Sequence, residues 1–255
     1  MGSFPNIIYG KYGDEKIKYS EAKFDLGQRM VLPDGRQFAF ALANTAATIA
    51  VGLVCSEKAV SSTGHVVSIT GSGSTGNTTV NVTLSATGAV TEDQFKDGYI
   101  LAYKGGTAGY MYKVKANNSG AVSTTVKFTL YDQDVLKAPI AAATTSVMIR
   151  ENEFKHVLTR AAGTAVVGIP AGVAANSVAA GEYFWIQRRG PSSILAAGTV
   201  GLVGEPATCA TTVAGVQRYV IAANTATAPG EWEIGRFLVA PAQSTDYAAV
   251  YLELD

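Results

Sequence analysis

The chain is dominated by short runs in which apolar and polar residues alternate, and this constrains its fold more than any single motif. The runs are HVVSIT (65–70), TTVNVTL (78–84), GYILAYK (98–104), GYMYKVK (109–115), STTVKFTLYD (123–132) and TSVMIRE (145–151), then AVVGIPA (165–171), EYFWIQRRG (182–190), TVGLVG (199–204), VQRYVIA (216–222), EIGRFLVA (233–240) and DYAAVYLEL (246–254). Successive side chains of a strand point to opposite faces, so an alternating run buries one face and leaves the other to water. In the last run Ala248, Val250 and Leu252 should point inward, with Tyr247, Ala249 and Tyr251 on the other face. Clusters of Gly, Asn, Ser and Thr separate the runs, as turns require. No stretch of convincing length keeps a helical period. The expected fold is mainly β with little helix: an N-terminal extended arm followed by two antiparallel β-rich regions, each a sandwich or a small barrel, which read alike at this level.

The opening signal is LGQRMVLPDGRQFAFALAN (26–44). Met30 and Leu32 precede a turn, and Phe38, Phe40 and Leu42 follow it, which predicts two half-buried strands. Proline presets its own φ and glycine accepts a positive one, so Pro33-Asp34-Gly35 suits a tight hairpin turn. The next stretch, ANTAATIAVGLVCSE (43–57), suits a short helix through its alanines or a strand through its Thr, Ile and Val, and stays open. Residues 1–25 mix Tyr, Gly and alternating charges without a clean period of 2 or 3.6, the pattern of an arm that orders against a partner. At 255 residues the chain can hold one large core or two medium ones. The expected division is an arm at 1–25, a β-domain with its opening hairpin at 26–150, and a second β-domain at 151–255.

Charge excludes several functions. Lys+Arg 20 balance Asp+Glu 20, so no net field draws the chain onto nucleic acid or an anionic membrane, and neither is an expected partner. The charge is also uneven, with six basic and five acidic residues between Lys11 and Arg36. The start MGSFPNIIYG lacks a basic segment followed by an apolar one, and no uninterrupted apolar run reaches spanning length, which predicts a soluble protein without a signal peptide. Cys55 and Cys209 have neither redox nor zinc spacing and read as buried thiols.

The remaining motifs carry little chemistry. GSGSTG (71–76) has phosphate-loop spacing, but Asn77 stands where a lysine is needed and a strand follows where a helix is needed, so it reads as a hairpin tip. His65 and His156 lack companion ligands. The pairs Glu92/Asp93, Asp132/Asp134, Glu151/Glu153 and Glu231/Glu233 read as solvated strand faces. No catalytic residue, cofactor or metal is expected, and the chain is read as a non-enzyme. EYFWIQRRGPSS (182–193) is more informative: Phe184 and Ile186 point one way and Tyr183, Trp185 and Gln187 the other, so both faces of this strand should be occupied. Arg188 and Arg189 precede Gly190-Pro191, read as a turn, which would place their guanidinium groups on a rim able to pair with carboxylates of another subunit.

Four segments in order, LGQRMVLPDGRQFAFALAN, DGYILAYKGGTAGYMYKVKAN, AAGEYFWIQRRGPSSILAAGTV and IGRFLVA with DYAAVYLELD, resemble capsid decoration, or cement, proteins of tailed bacteriophages of marine and freshwater hosts. The resemblance spans residues 26–255. It implies a β-rich virion structural protein that binds the outer surface of the capsid between capsomers of the major capsid protein. It further implies a homotrimer, assembled in the host cytoplasm, and no catalytic residues. On that reading the capsid or subunit contacts are Tyr9, Tyr12, Lys16, Lys18 and Tyr19 of the arm, Asp34 and Arg36 of the turn, and Tyr183, Trp185, Arg188 and Arg189. The alternative is a head fibre, tail or host-surface component that binds glycans through Tyr103, Tyr110, Tyr112, Tyr183 and Trp185.

Overall fold

The computed structural model describes residues 7–46, 48–58, 69–84, 88–104, 108–141, 146–160, 168–197, 201–210, 214–218, 232–239 and 246–254. His65, Glu231 and the remainder of VQRYVIA beyond Arg218 lie outside them. The chain forms two compact units, one of Met1–Ala59 with Glu153–Asp255 and one of Val60–Asn152. The expected division at 26–150 and 151–255 is therefore corrected: the second unit is an insertion, and the opening hairpin belongs with the C-terminal strands. The first unit begins with β1 (Ile7–Tyr9), a single 3-10 turn at Asp14–Lys16, β2 (Lys18–Tyr19), β3 (Arg29–Val31), β4 (Gln37–Leu42) and β5 (Val54–Ser56). The insertion holds β6 (Ile69–Ser72), β7 (Thr79–Thr83), β8 (Tyr99–Lys104), β9 (Met111–Asn117), β10 (Thr125–Leu130) and β11 (Ser146–Arg150). The first unit then resumes with β12 (Leu158–Thr159), β13 (Pro170–Ala174), β14 (Tyr183–Leu195), β15 (Pro206–Cys209), β16 (Val216–Arg218), β17 (Glu233–Val239) and β18 (Tyr247–Glu253). The mainly-β expectation holds.

The first unit is a 12-stranded sheet ordered β1-β3-β4-β14-β18-β17-β15-β16, with β2, β5, β12 and β13 attached beside it. Its spine is β14, which pairs with β4 through its first half and with β18 through its second. The opening hairpin forms as expected, with Met30 opposite Phe38 and Gly35 at φ +83° in the turn. However, β4 is buried on both faces rather than half-buried: Phe38 and Phe40 join Met30, Leu32 and Trp185, while Ala39 and Ala41 join Phe184 and Ile186. The register explains the alternation of large and small residues, since Ala39 lies opposite Ile186 and Ala41 opposite Phe184, so the bulk on one strand fills the space left by the other. The β1–β3 pair is parallel, a departure from the all-antiparallel expectation.

The segment expected as a free arm is anchored to this core through several of its described residues. Ile8, Tyr19, Phe24 and Leu26 pack against the Trp185 cluster, and the Phe24 ring centroid lies 5.1 Å from that of Trp185 and 5.2 Å from that of Phe40. Such aromatic contacts add roughly 0.5–1.5 kcal/mol each beyond the area they bury. No period betrayed them because each comes from a different short piece of chain rather than from one face of one element. Two further expectations are corrected. Gly190-Pro191 is not a turn: β14 runs through it, bulged between Gln187 and Arg189, with Gly190 at φ +89° and the Gln187 amide donating to the Pro191 carbonyl at 2.9 Å. Residues 201–204 of TVGLVG form a turn rather than a strand, with Leu202 and Val203 exposed.

The insertion is a closed barrel in the order β10-β7-β6-β11-β8-β9, all neighbours antiparallel. Alternate residues such as Val80, Ile100, Val114, Phe128 and Ile149 point inward to fill it, leaving the intervening ones outside. Closure pairs every strand on both sides and so removes the open edges that a small sheet would expose. GSGSTG begins in β6 with Gly71 and Ser72, and its last four residues, 73–76, lie in the β6–β7 connection, where Gly76 takes φ +84°.

Candidate functional site

Among the described residues the two most exposed aromatic side chains are Tyr9, 83% exposed at the end of β1, and Tyr12, 65% exposed in the segment that joins β1 to β2, where exposed Ile17 follows. This segment is held in place by a chain of polar contacts. The Gly10 N–H donates to the Val31 carbonyl at 3.0 Å, tying the segment to β3. The Lys11 N–H donates to the Asp14 carboxylate at 2.8 Å, and the Lys16 N–H donates to the Gly13 carbonyl at 3.0 Å. At the centre stands Glu15, which sequence reading passed over: its side chain is 4% exposed, accepts the Gly13 N–H at 2.7 Å, and pairs with the Arg36 guanidinium at 3.6 Å. A buried carboxylate needs such partners to remain charged. Its only sequence signal was a position in the charge-dense segment opposite a hairpin ending in Arg36.

Arg36 connects this segment to the hairpin tip. Its Nε donates to Asp34 Oδ2 at 2.7 Å, its own N–H donates to Asp34 Oδ1 at 3.1 Å, and the guanidinium lies 5.8 Å from the Phe38 ring centroid. Burial acts to raise the Asp34 pKa, but the side-chain and backbone hydrogen bonds from Arg36 and its charge outweigh it and hold the carboxyl below its ordinary value. Lys18 is likewise engaged, 3.3 Å from Glu182. Glu182 sits below its usual pKa chiefly because the Ala179 N–H donates to it; slight burial opposes this and Lys18 adds to it.

The predicted contact residues therefore separate into groups. Tyr9, Tyr12 and Lys16 are exposed and share one braced segment, with Asp34 and Arg36 as its brace. Tyr19 and Tyr183 are half-buried, with Tyr183 stacked on Phe40 at 5.7 Å. Trp185, at 1% exposure, is a core residue and not a contact group. Arg188 is half-buried and engaged within its own chain, donating to the Leu254 carbonyl at 3.1 Å, lying 5.2 Å from the Phe154 ring centroid and 3.8 Å from the Glu153 carboxylate. Arg189 is exposed at the bulge of β14, opposite Gln37 and Glu253. Of the residues named for the glycan alternative, Tyr112 and Trp185 are buried, which breaks that platform as drawn.

Other candidate chemistry is sparse. A cleft of about 250 Å³ lined by Asn44, Ala46, Thr48, Ile49, Leu158 and Thr159 contains no titratable side chain. Cys55 is buried with its pKa pushed up to about 12 by desolvation, which leaves its thiol protonated and unreactive. Among the described residues no group of three His, Cys, Asp or Glu could hold a metal, and no helix is long and apolar enough to cross a membrane. No protein-family model, curated protein or solved structure matches the chain.

Proposed function

We propose that this chain is a virion structural protein that decorates and stabilises the outer surface of a phage capsid, docking between capsomers of the major capsid protein as a homotrimer, without catalysis. The observation that supports the reading best is the exposure of Tyr9 and Tyr12 on a segment braced by Glu15 and Arg36. Large rings carried on a braced backbone lose little backbone freedom on contact, and three copies in one trimer make the second and third contacts intramolecular. A clamp of this kind needs many modest contacts repeated over a shell rather than a reactive group.

The test is co-sedimentation with expanded heads lacking the protein, counting copies at saturation for the wild type and for a Tyr9→Ala/Tyr12→Ala double variant. Wild-type saturation at a number set by three-fold or local three-fold positions, with at least about a tenfold loss of affinity in the variant, is the expected result. Undiminished binding by the double variant would remove this segment from the interface, and no wild-type binding would remove the capsid role. Deleting residues 1–25 is a poorer test, because Tyr19 and Phe24 belong to the core.

A further inference from the structure

The barrel has two unlike exteriors. On β6, β7 and β10 the exposed outward positions include Thr70, Asn81, Thr83, Thr125 and Lys127, with no aromatic among them. On the β8–β9 side a single row crosses the wall: Arg150 is opposite Tyr99, Tyr99 is opposite Lys113, and the Lys113 carbonyl accepts the Tyr131 N–H at 3.3 Å. Tyr99 and Tyr131, 38% and 39% exposed, thus flank Lys113 about two strand spacings, or ~10 Å, apart. Both rings are fixed. Lys113 Nζ lies 4.2 Å from the Tyr99 ring centroid, and the Tyr131 hydroxyl donates to Asp97 at 2.5 Å. Met111, exposed and opposite Leu101, extends the apolar surface by one row.

We propose that this row is a binding platform for a neutral saccharide chain, with the apolar faces of two sugar rings stacked on Tyr99 and Tyr131. The exposed parts of Tyr99, Tyr131 and Met111 offer on the order of 300 Å², enough to seat two sugar rings. Charge argues against an anionic polymer. Lys115 is held by Asp132 at 2.9 Å, Lys113 is drawn over Tyr99, and Asp97, Asp132 and Asp134 lie among these cations, so no net positive groove exists. A neutral sugar presents an apolar face to a ring and hydroxyls to flanking charged groups, which matches what this row displays. Fixed rings also lower the ordering cost of binding.

The test applies the full-length protein to an array of neutral and acidic oligosaccharides at low and high salt, with a single-stranded oligonucleotide assayed in parallel. Tyr99→Ala, Tyr131→Ala, Tyr131→Phe and Tyr9→Ala are compared, each with a thermal unfolding trace. The expected result is salt-independent capture of neutral glycans, weakened about tenfold by either barrel Tyr→Ala change, largely kept by Tyr131→Phe, and unchanged by Tyr9→Ala. The platform is overturned by an array without neutral hits, by salt-sensitive binding confined to acidic glycans or the oligonucleotide, or by equal losses in Tyr131→Ala and Tyr131→Phe. Failure here leaves capsid docking untouched, since Tyr9 belongs to the other unit.

Discussion

The barrel and the sheet are both built from short strands, but they obtain their cores from different distances along the chain. In the barrel, β6 pairs with β7 and β8 with β9 through near neighbours in sequence, and all its strands come from one continuous stretch. In the sheet, the central pairing joins β4 to β14, and the aromatic core is closed by Tyr19 and Phe24 from near the N-terminus against Trp185. Local pairing costs little loop entropy, whereas the sheet must bring distant segments together before any of them gains a partner. The insertion is tolerated because it enters where the sheet is already closed: β5 and β12 are antiparallel neighbours, with Leu158 opposite Ser56 and Thr159 opposite Cys55. The chain therefore leaves the sheet and rejoins it at adjacent points, as a hairpin loop would.

This contrast can be broken most severely at Trp185. Trp185→Ala removes the largest buried side chain of the sheet and should destabilise that unit by about 3–5 kcal/mol while leaving the barrel transition in place. Calorimetry should show two transitions, of which only one moves; a coincident shift of both would mean that the units fold as one cooperative body.

A smaller effect is expected from acid. The folded pKa values of Asp34 and Glu182 lie below their ordinary values, so each carboxylate contributes stability that is complete above the unfolded pKa of ~4 and is lost as pH falls through the folded value. Both groups belong to the sheet unit. Lowering the pH from 6 to about 3 should therefore loosen the β1–β2 segment, read as lower amide protection at Gly10 and Lys16 relative to the intrinsic exchange rate at each pH, and raising salt should mimic part of it. Loss of protection confined to barrel amides would contradict the assignment.

The smallest effect should follow the largest deletion. Replacing Val60–Asn152 by a short Gly/Ser linker restores a β5–β12 hairpin and should leave the sheet's unfolding free energy within about 1 kcal/mol of wild type, because the loop it shortens contributes only logarithmically. An unfolded product, checked by circular dichroism, would show that the sheet depends on its insertion.

Several parts of this architecture were legible in the residues. GYILAYK, GYMYKVK, STTVKFTLYD and TSVMIRE each became a strand, and the inward set Ala248, Val250 and Leu252 is buried as alternation required. The LPDG hairpin followed from the φ preferences of Pro33 and Gly35, and the two-sided burial of β14 followed from large residues at consecutive positions. Tyr9, Tyr12 and Lys16, named as contacts because they are large or charged residues in a segment without a period, are exposed in the fold. Glu15 was not named, since a carboxylate among many carries no mark of burial until Gly13 and Arg36 are placed around it.

By itself, then, the sequence determined the mainly-β character, the inward face of strands such as β18 and the turn at Pro33–Gly35, because these depend on side-chain alternation and backbone preferences that act over a few residues. Only the tertiary structure decided which strands pair, that residues 60–152 interrupt a sheet instead of preceding one, and that Trp185 is buried and Arg188 bonds within its own chain while Tyr9 and Tyr12 stay exposed. Backbone hydrogen bonds between strands are the same whatever the side chains, so partner choice is fixed by how distant surfaces fit, and that fit exists only once the chain is folded.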